Sequence, residues 1–209
     1  MKKHKVFISY YHKDDQEYKN ELLWQNKLYD LFDDFSVHEN EIDSTGMTTD
    51  RIRKTIRDFY IKDATVLILL CGKNTCRRKF IDWELHAAMY DTKKNPKMGI
   101  LVINLPSIEK QWVRVSDEEE KALIAGNVNG EWVSLTARSE YEKEFPYMPS
   151  RIIDNFVKDI PISVVSWSRI NHNPDVLKEL IHNAYSRRKC INYCNGAKLK
   201  KYNTKSKYD

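Results

Sequence analysis

A chain of 209 residues usually folds as one domain, and 41% hydrophobic with 31% charged residues is ordinary for a globular protein. Six glycines and six prolines are too few for a low-complexity chain. The net charge is +5, but residues 187–209 carry eight lysines and arginines against one aspartate, which leaves −2 for the rest. This composition predicts that residues 189–209 form a solvated, poorly ordered basic tail, and charge alone does not predict nucleic-acid binding.

The start of the chain does not have the pattern of a secretory signal peptide. The apolar run at residues 6–10 is too short for the hydrophobic region of such a peptide, and no stretch approaches the roughly 20 apolar residues that span a bilayer. Both features predict a cytoplasmic protein. The four cysteines lack a histidine pair at zinc-site spacing, so we expect free thiols and no metal.

Short aliphatic runs alternate with amphipathic stretches along the chain, which is typical of a parallel sheet covered by helices. The predicted strands are residues 5–10, 35–38, 64–70, 99–104 and 162–165. The predicted helices are residues 14–32, 51–60, 80–90 and 174–188. Asp14 or Asp15 is expected to cap the first helix, and Thr48 or Thr49 the second.

This order predicts an α/β fold, a flavodoxin-like three-layer sandwich with a five-stranded parallel sheet. One domain would cover residues 1–188, with an insert at about 105–160 between the fourth and fifth strands, and the basic tail at 189–209 would follow. The insert shows no regular periodicity, and its acidic run at residues 117–120 is expected on the surface.

Glu84 falls in the first turns of the third helix, just beyond the third strand, and ligands of open parallel sheets bind at that edge. The loop after the first strand, with Ser9, Tyr10, Tyr11 and His12, leaves the same edge, so its N–H groups, hydroxyls and rings could bind phosphate, ribose or a base. The pattern alone leaves alternatives open. Glu84 could simply favour the helix dipole, while Tyr10 packs in the sheet and His12 is solvated.

Other residues near Glu84 are open to two interpretations as well. Arg77, Arg78 and Lys79 precede the helix and could approach a pyrophosphate, although such charge runs more often form a solvated surface. Trp83 lies about a quarter turn from Glu84 and is expected in the core.

Several of these segments resemble the sequence boxes of the TIR (Toll/interleukin-1 receptor) domain family. They are residues 6–10 (first strand), 43–46 (loop before the second helix), 66–70 (third strand) and 80–85 (the helix with the glutamate). Phe80 stands where the family more often has tryptophan. Residues 99–106 and 141–155 resemble bacterial TIR-like proteins, whose relatives include the TIR subunit of the Thoeris antiphage system.

In enzymatic members of that family the glutamate cleaves NAD, so the resemblance implies that Glu84 is catalytic. NAD+ would be the substrate, with no other cofactor, and the product would be ADP-ribose or a cyclic ADP-ribose. The substrate-binding residues that we predict are Ser9, Tyr10, Tyr11, His12, Asp43, Gly46 and Phe80. In the Thoeris relatives the product is a diffusible signal, so the implied partners are NAD+, other copies of the domain, and an effector reached through that signal.

Three further classes fit the same pattern less well. A TIR-like domain that only recruits other proteins would not need Glu84. A phosphoreceiver shares the fold but needs acidic residues after its first and third strands, and this chain has Ser9-Tyr10 and Cys71-Gly72 there. A nuclease has only the basic tail in its favour.

Overall fold

The computed structural model describes residues 3–36, 46–61, 63–93, 96–109, 112–115, 117–125 and 135–204. Their strands are β1 (Lys5–Ser9), β2 (Asp33–Asp34), β3 (Val66–Cys71), β4 (Gly99–Asn104) and β5 (Ser163–Ser166). All four strand pairs are parallel, and the order across the sheet is β2-β1-β3-β4-β5. This is the flavodoxin-like order, which confirms the predicted fold class.

Helices cover both faces of the sheet. They are α1 (His12–Tyr29), α2 (Thr49–Thr55), α3 (Lys79–Met89), α4 (Glu118–Ala125), α5 (Arg138–Glu144), α6 (Ser150–Val157), α7 (Trp167–Ile170) and α8 (Pro174–Arg187). A π-helical turn, Ile56–Tyr60, continues α2, and a 3-10 turn, Thr75–Arg77, precedes α3. Among the described helices, none is both long and apolar enough to cross a membrane.

The central strands are apolar because the helices cover both of their faces. Every residue of β3 and β4 is buried. One apolar cluster joins Leu67 and Leu69 of β3 to α3 and α6, and the other joins Ile68 and Leu70 to α1 and α8. The alternation of side chains along β3 therefore assigns α1 and α3 to opposite faces of the sheet.

The first helix and the second strand differ from the prediction. Helix α1 begins at His12 after Tyr11, without a side-chain cap, so the predicted cap at Asp14 or Asp15 is wrong. It ends at Tyr29 rather than residue 32 because Asp30 takes a left-handed conformation. The Asn26 side chain then accepts hydrogen bonds from the N–H groups of Leu31 and Phe32. The chain therefore rejoins the sheet at residues 33–34, before the predicted strand 35–38, of which residues 37 and 38 lie outside the described part.

Helix α2 begins at Thr49, two residues before the predicted start, and its π-helical continuation contacts α3. The Thr48 hydroxyl accepts the Arg51 N–H at 3.3 Å, which confirms Thr48 as a cap. The guanidinium of Arg57, in the π-helical turn, is buried and donates to the carbonyl of Ala87 at 3.1 Å. Arg57 thereby satisfies a backbone acceptor in the last turn of α3.

Two segments that were predicted to be solvated are packed instead. Residues 191–204 run without regular structure across α3 and α6, where, for example, the Asn155 side chain accepts the Cys194 N–H at 2.9 Å. The prediction of a poorly ordered tail is therefore wrong for this part, because buried polar side chains bind its backbone. In the acidic run, Glu120 is fully buried and accepts hydrogen bonds from Ser163 and Arg187, so the surface prediction is wrong for Glu120.

We expect Gly99→Ala to destabilise the fold by about 1–3 kcal/mol, because the added methyl group would overpack the first residue of β4. A Cβ atom there would collide with the carbonyl oxygen of Ala184 in α8, which is backbone and cannot rotate away. Urea unfolding measures the change. The matched control is Gly196→Ala, whose added Cβ would have no atom of the described residues within 4 Å apart from its chain neighbours. Equal unfolding midpoints for the two variants would contradict the prediction.

Candidate active site

Ser9 and Glu84 meet at the carboxyl-terminal edge of the sheet. Ser9 ends β1 and pairs with Leu69 of the neighbouring β3. The Ser9 side chain is almost fully buried, and its hydroxyl donates a hydrogen bond to Oε2 of Glu84 at 2.6 Å. A charge-assisted hydrogen bond of this length fixes the position of the carboxylate. The structure thus brings together two of the predicted site residues, which are 75 positions apart in the chain.

The orientation of α3 is set by its apolar neighbours. Trp83 and Leu85, on either side of Glu84, are buried in the cluster on this face of the sheet, whereas Glu84 itself is half-buried. The 3-10 turn before α3 is closed by Thr75, whose hydroxyl accepts the Gly72 N–H at 2.8 Å. The turn and the buried side chains together direct Glu84 towards the end of β1.

The loop after β1 divides between the two faces of the sheet. Tyr11 packs on the face that holds α3, where the guanidinium of Arg78 lies 4.0 Å from the centre of its ring. Tyr10 packs on the opposite face, and its hydroxyl donates to Oε1 of Gln16 at 2.7 Å. His12 is exposed at the start of α1. Tyr11 is therefore the aromatic residue of this loop on the same face as Glu84.

The remaining predicted site residues have different placements. Phe80 is half-buried one turn before Glu84, and its ring contacts that of Trp83 edge-on with centroids 5.1 Å apart. Trp83 lies in the core, as predicted. Gly46 is exposed with φ of 72°, a left-handed conformation that favours glycine. Asp43 lies outside the described residues.

Asp15 is a buried carboxyl at the same edge, whereas the sequence patterns indicated it only as a candidate helix cap. Its side chain packs against Gly72, just after β3, where a methyl group added at Gly72 would meet Oδ1 of Asp15 at 2.5 Å. Within the described residues Oδ2 of Asp15 has no hydrogen-bond partner. Burial, reinforced by the charge of Asp14, raises the pKa of Asp15 from 3.8 to about 6. The spacing of Asp15, Lys19 and Leu22, all buried, matches one helical face and could have indicated this position.

We expect Asp15→Asn to remove a pH-dependent destabilisation of the protein. Folding raises the pKa of Asp15, so its carboxyl is easier to bury when it is protonated. The folded state is therefore most stable, as far as this group is concerned, below pH 4, and it loses stability as the pH rises through 6 and the buried carboxyl ionises. At pH 7 the variant should be more stable than the parent by about 1–2 kcal/mol, with the difference shrinking towards pH 4. Urea unfolding at several pH values measures this. Asp175→Asn, an exposed first-turn aspartate of α8, is the control, and a pH-independent difference for Asp15→Asn would contradict the prediction.

Residues 7–110 match a family model described as "Thoeris protein ThsB, TIR-like domain". The match spans about half of the chain, covers most of β1 and all of β2, β3 and β4, and includes both Ser9 and Glu84. Comparison with curated proteins finds no match. The matched range ends within the first residues of the predicted insert, so α4 to α8 and the segment after them lie outside it. The parallel five-stranded sheet and the family match agree, and the chain belongs to the TIR-like domain family.

Proposed function

We propose that this protein cleaves the nicotinamide–ribose bond of NAD+ and releases ADP-ribose or a cyclic ADP-ribose, with Glu84 as the catalytic residue. The observation that carries the proposal is the 2.6 Å hydrogen bond from Ser9 to Glu84. It holds a carboxylate at the sheet edge where ligands of parallel α/β folds bind. A glutamate that served only as a partner of the helix dipole would not need a buried hydroxyl from another strand.

The chemistry needs little more than this carboxylate. The bond breaks through a transition state in which positive charge develops on the ribose. The nicotinamide ring of NAD+ carries a positive charge and becomes neutral when its bond to the ribose breaks, so no general acid has to protonate it. Glu84 would stabilise the ribosyl cation and hold ribose hydroxyls, and Ser9 would keep its carboxylate in place. A new bond to C1′ of the ribose then forms either with water, which loses a proton and gives ADP-ribose, or with a nucleophilic atom of the ADP-ribosyl group itself, which gives a cyclic ADP-ribose. Tyr11, which packs on the same face of the sheet, Arg78, which lies over its ring, and Phe80, one turn before Glu84, are proposed to contact the substrate.

The family match supports a role in antiphage signalling, because the matching family is that of a Thoeris protein. In this proposal the protein acts in the cytoplasm, associates with other copies of itself, and reaches an effector through its nucleotide product. It needs no cofactor besides NAD+ as substrate. Predicted substrate contacts at Tyr10 and His12 are less well supported, since Tyr10 packs on the opposite face and its hydroxyl is bonded to Gln16.

The test is chromatography of nucleotides from phage-infected cells that carry the protein. Cells with the parent should show loss of NAD+, release of nicotinamide and a new ADP-ribose-type product. Cells with Glu84→Gln at equal protein level should show none of these. If the parent gives phage resistance without any change in nucleotides, the protein is better interpreted as a non-catalytic interaction module.

We expect Ser9→Ala to lower NAD+ turnover about tenfold, because the loss of one charge-assisted hydrogen bond leaves the Glu84 carboxylate less well positioned. Nicotinamide release by the purified variant measures this, under conditions in which the parent is active. Ser186→Ala, on the exposed side of α8, should retain the parent rate. A parent-like rate for Ser9→Ala would show that the hydrogen bond has no part in catalysis.

A further inference from the structure

Residues 195–204, which we call the strap, follow α8 and lie against α3, outside the range that the family model matches. We propose that the strap is a positioning device for α3, in which Asn203 caps the helix that carries Glu84. The link to catalysis rests on the proposed function, whereas the effect of the strap on α3 does not.

The cap is supplied from a distant part of the chain. Arg78, which precedes α3, makes no side-chain hydrogen bond to the first turn of the helix. Instead, Oδ1 of Asn203 accepts the N–H of Lys79, the first residue of α3, at 2.9 Å. The first N–H groups of a helix have no acceptor within the helix, and asparagine is among the best side chains to provide one. Asn203 therefore performs the role that a local cap residue performs in most helices.

The strap also holds the linker between β3 and α3. The N–H of Thr204 donates to the carbonyl of Arg77 at 3.0 Å, and the ammonium group of Lys200 donates to the carbonyl of Cys76 at 2.5 Å. Arg77 is followed by Arg78, whose guanidinium lies over the ring of Tyr11. The strap thus fixes the linker between β3 and α3, whose last residue contacts the loop after β1.

A buried ion pair anchors the strap to the core. Arg151 of α6 is 1% exposed and donates to both carboxylate oxygens of Asp82, at 3.0 and 3.3 Å. The same guanidinium donates to the strap carbonyl of Ala197 at 3.3 Å, and the strap N–H of Lys200 donates to Asp82 at 2.9 Å. The indole N–H of Trp83 donates to the carbonyl of Lys200 at 2.8 Å. The strap is consequently joined to α3 by charged and polar groups that the core shields from water.

These contacts lie on the side of α3 opposite Glu84. Successive helical residues are about 100° apart, so Asp82 and His86 share a face from which Glu84 points away. The strap binds Asp82, and its Asn195 side chain donates to the carbonyl of His86 at 2.9 Å. These hydrogen bonds hold α3 from its rear face, while Ser9 of β1 binds the carboxylate on the other side. The strap therefore acts on catalysis through α3, and its residues are positioning residues.

Hydrogen exchange of the full chain tests the proposal without relying on activity. In Asn203→Ala, the amides of residues 79–84 should exchange about tenfold faster, while those of β3 and β4 keep the parent rate. Asn203→Asp should restore slow exchange, because a carboxylate also accepts the Lys79 N–H and suits a helix N-terminus. Lys200→Ala should speed exchange in the same region, whereas the exposed neighbour Lys201→Ala, which removes the same charge, should not.

Nicotinamide release from NAD+ is measured on the same samples and should fall in Asn203→Ala and recover in Asn203→Asp. Unchanged exchange at residues 79–84, or faster exchange throughout the protein, overturns the strap as a positioning device, whatever the turnover. Local exchange that follows the expected pattern supports the strap even if the parent releases no nicotinamide, and in that case it is the proposed function that fails.

Discussion

Glu84→Gln is expected to remove NAD+ turnover while the protein keeps its fold. The two side chains are nearly equal in size, and the loss of charge near a helix N-terminus costs only about 0.3–1 kcal/mol. Loss of one preorganised electrostatic group from a transition state costs about 3–4 kcal/mol, so nicotinamide release should fall by about a hundredfold or more. Thermal unfolding should barely change, which separates the catalytic effect from the structural one.

The measurement compares purified proteins under conditions in which the parent is active. Glu119→Gln removes the same charge from an exposed position in α4 and should keep the parent rate. If Glu84→Gln releases nicotinamide at nearly the parent rate, Glu84 has a structural role at the start of α3. The chain would then be interpreted as a module that binds other proteins.

Arg151→Met is expected to lower the free energy of unfolding by about 3–5 kcal/mol, because it leaves one partner of a buried ion pair without its counter-charge. Arg151 and Asp82 have side chains that are 1% and 8% exposed, so water cannot replace the lost guanidinium. The substitution also removes the hydrogen bonds that the guanidinium donates to Asn195 and Ala197. Urea unfolding measures the loss.

A double variant distinguishes an unpaired charge from a loss of packing. Asp82→Asn combined with Arg151→Met removes both charges and should be more stable than Arg151→Met alone. Arg138→Met is the control, since the Arg138 side chain is 44% exposed and pairs with Asp154 and Glu142 near the surface. If the double variant loses as much free energy of unfolding as Asp82→Asn and Arg151→Met lose together, the two residues are not coupled and the prediction is wrong.

The sheet and the place of Glu84 at its edge could be predicted from sequence for physical reasons. Continuous aliphatic runs at β3 and β4 can only be buried between two layers, and parallel strands bring their carboxyl ends to one edge. Those two rules place Glu84 beside the loop that follows β1. They do not say that Ser9 would be its partner, because the choice among Ser9, Tyr10 and Tyr11 depends on which residue points to which face.

The buried polar and packed residues that were missed depend on partners distant in the chain. Glu120 resembles any member of a surface acidic run until Arg187 and Ser163 are known to face it. The basic composition of residues 187–209 predicts solvation, yet the strap is held chiefly by its backbone carbonyl and N–H groups, which composition does not describe. Arg151 likewise has no local pattern that marks it as buried. Side-chain periodicity reports the face of an element and not the identity of what packs against it.

The distance between α3 and its cap has a consequence for protein synthesis. Lys79 and Asn203 are 124 residues apart, so the ribosome makes the helix well before it makes the residue that completes it. At about 5–20 residues per second, on the order of ten seconds of translation separates the two. A nascent chain in that interval has its glutamate but lacks the support behind it. Under the proposed function, we expect such a nascent chain to cleave NAD+ more slowly than a chain in which the strap is in place.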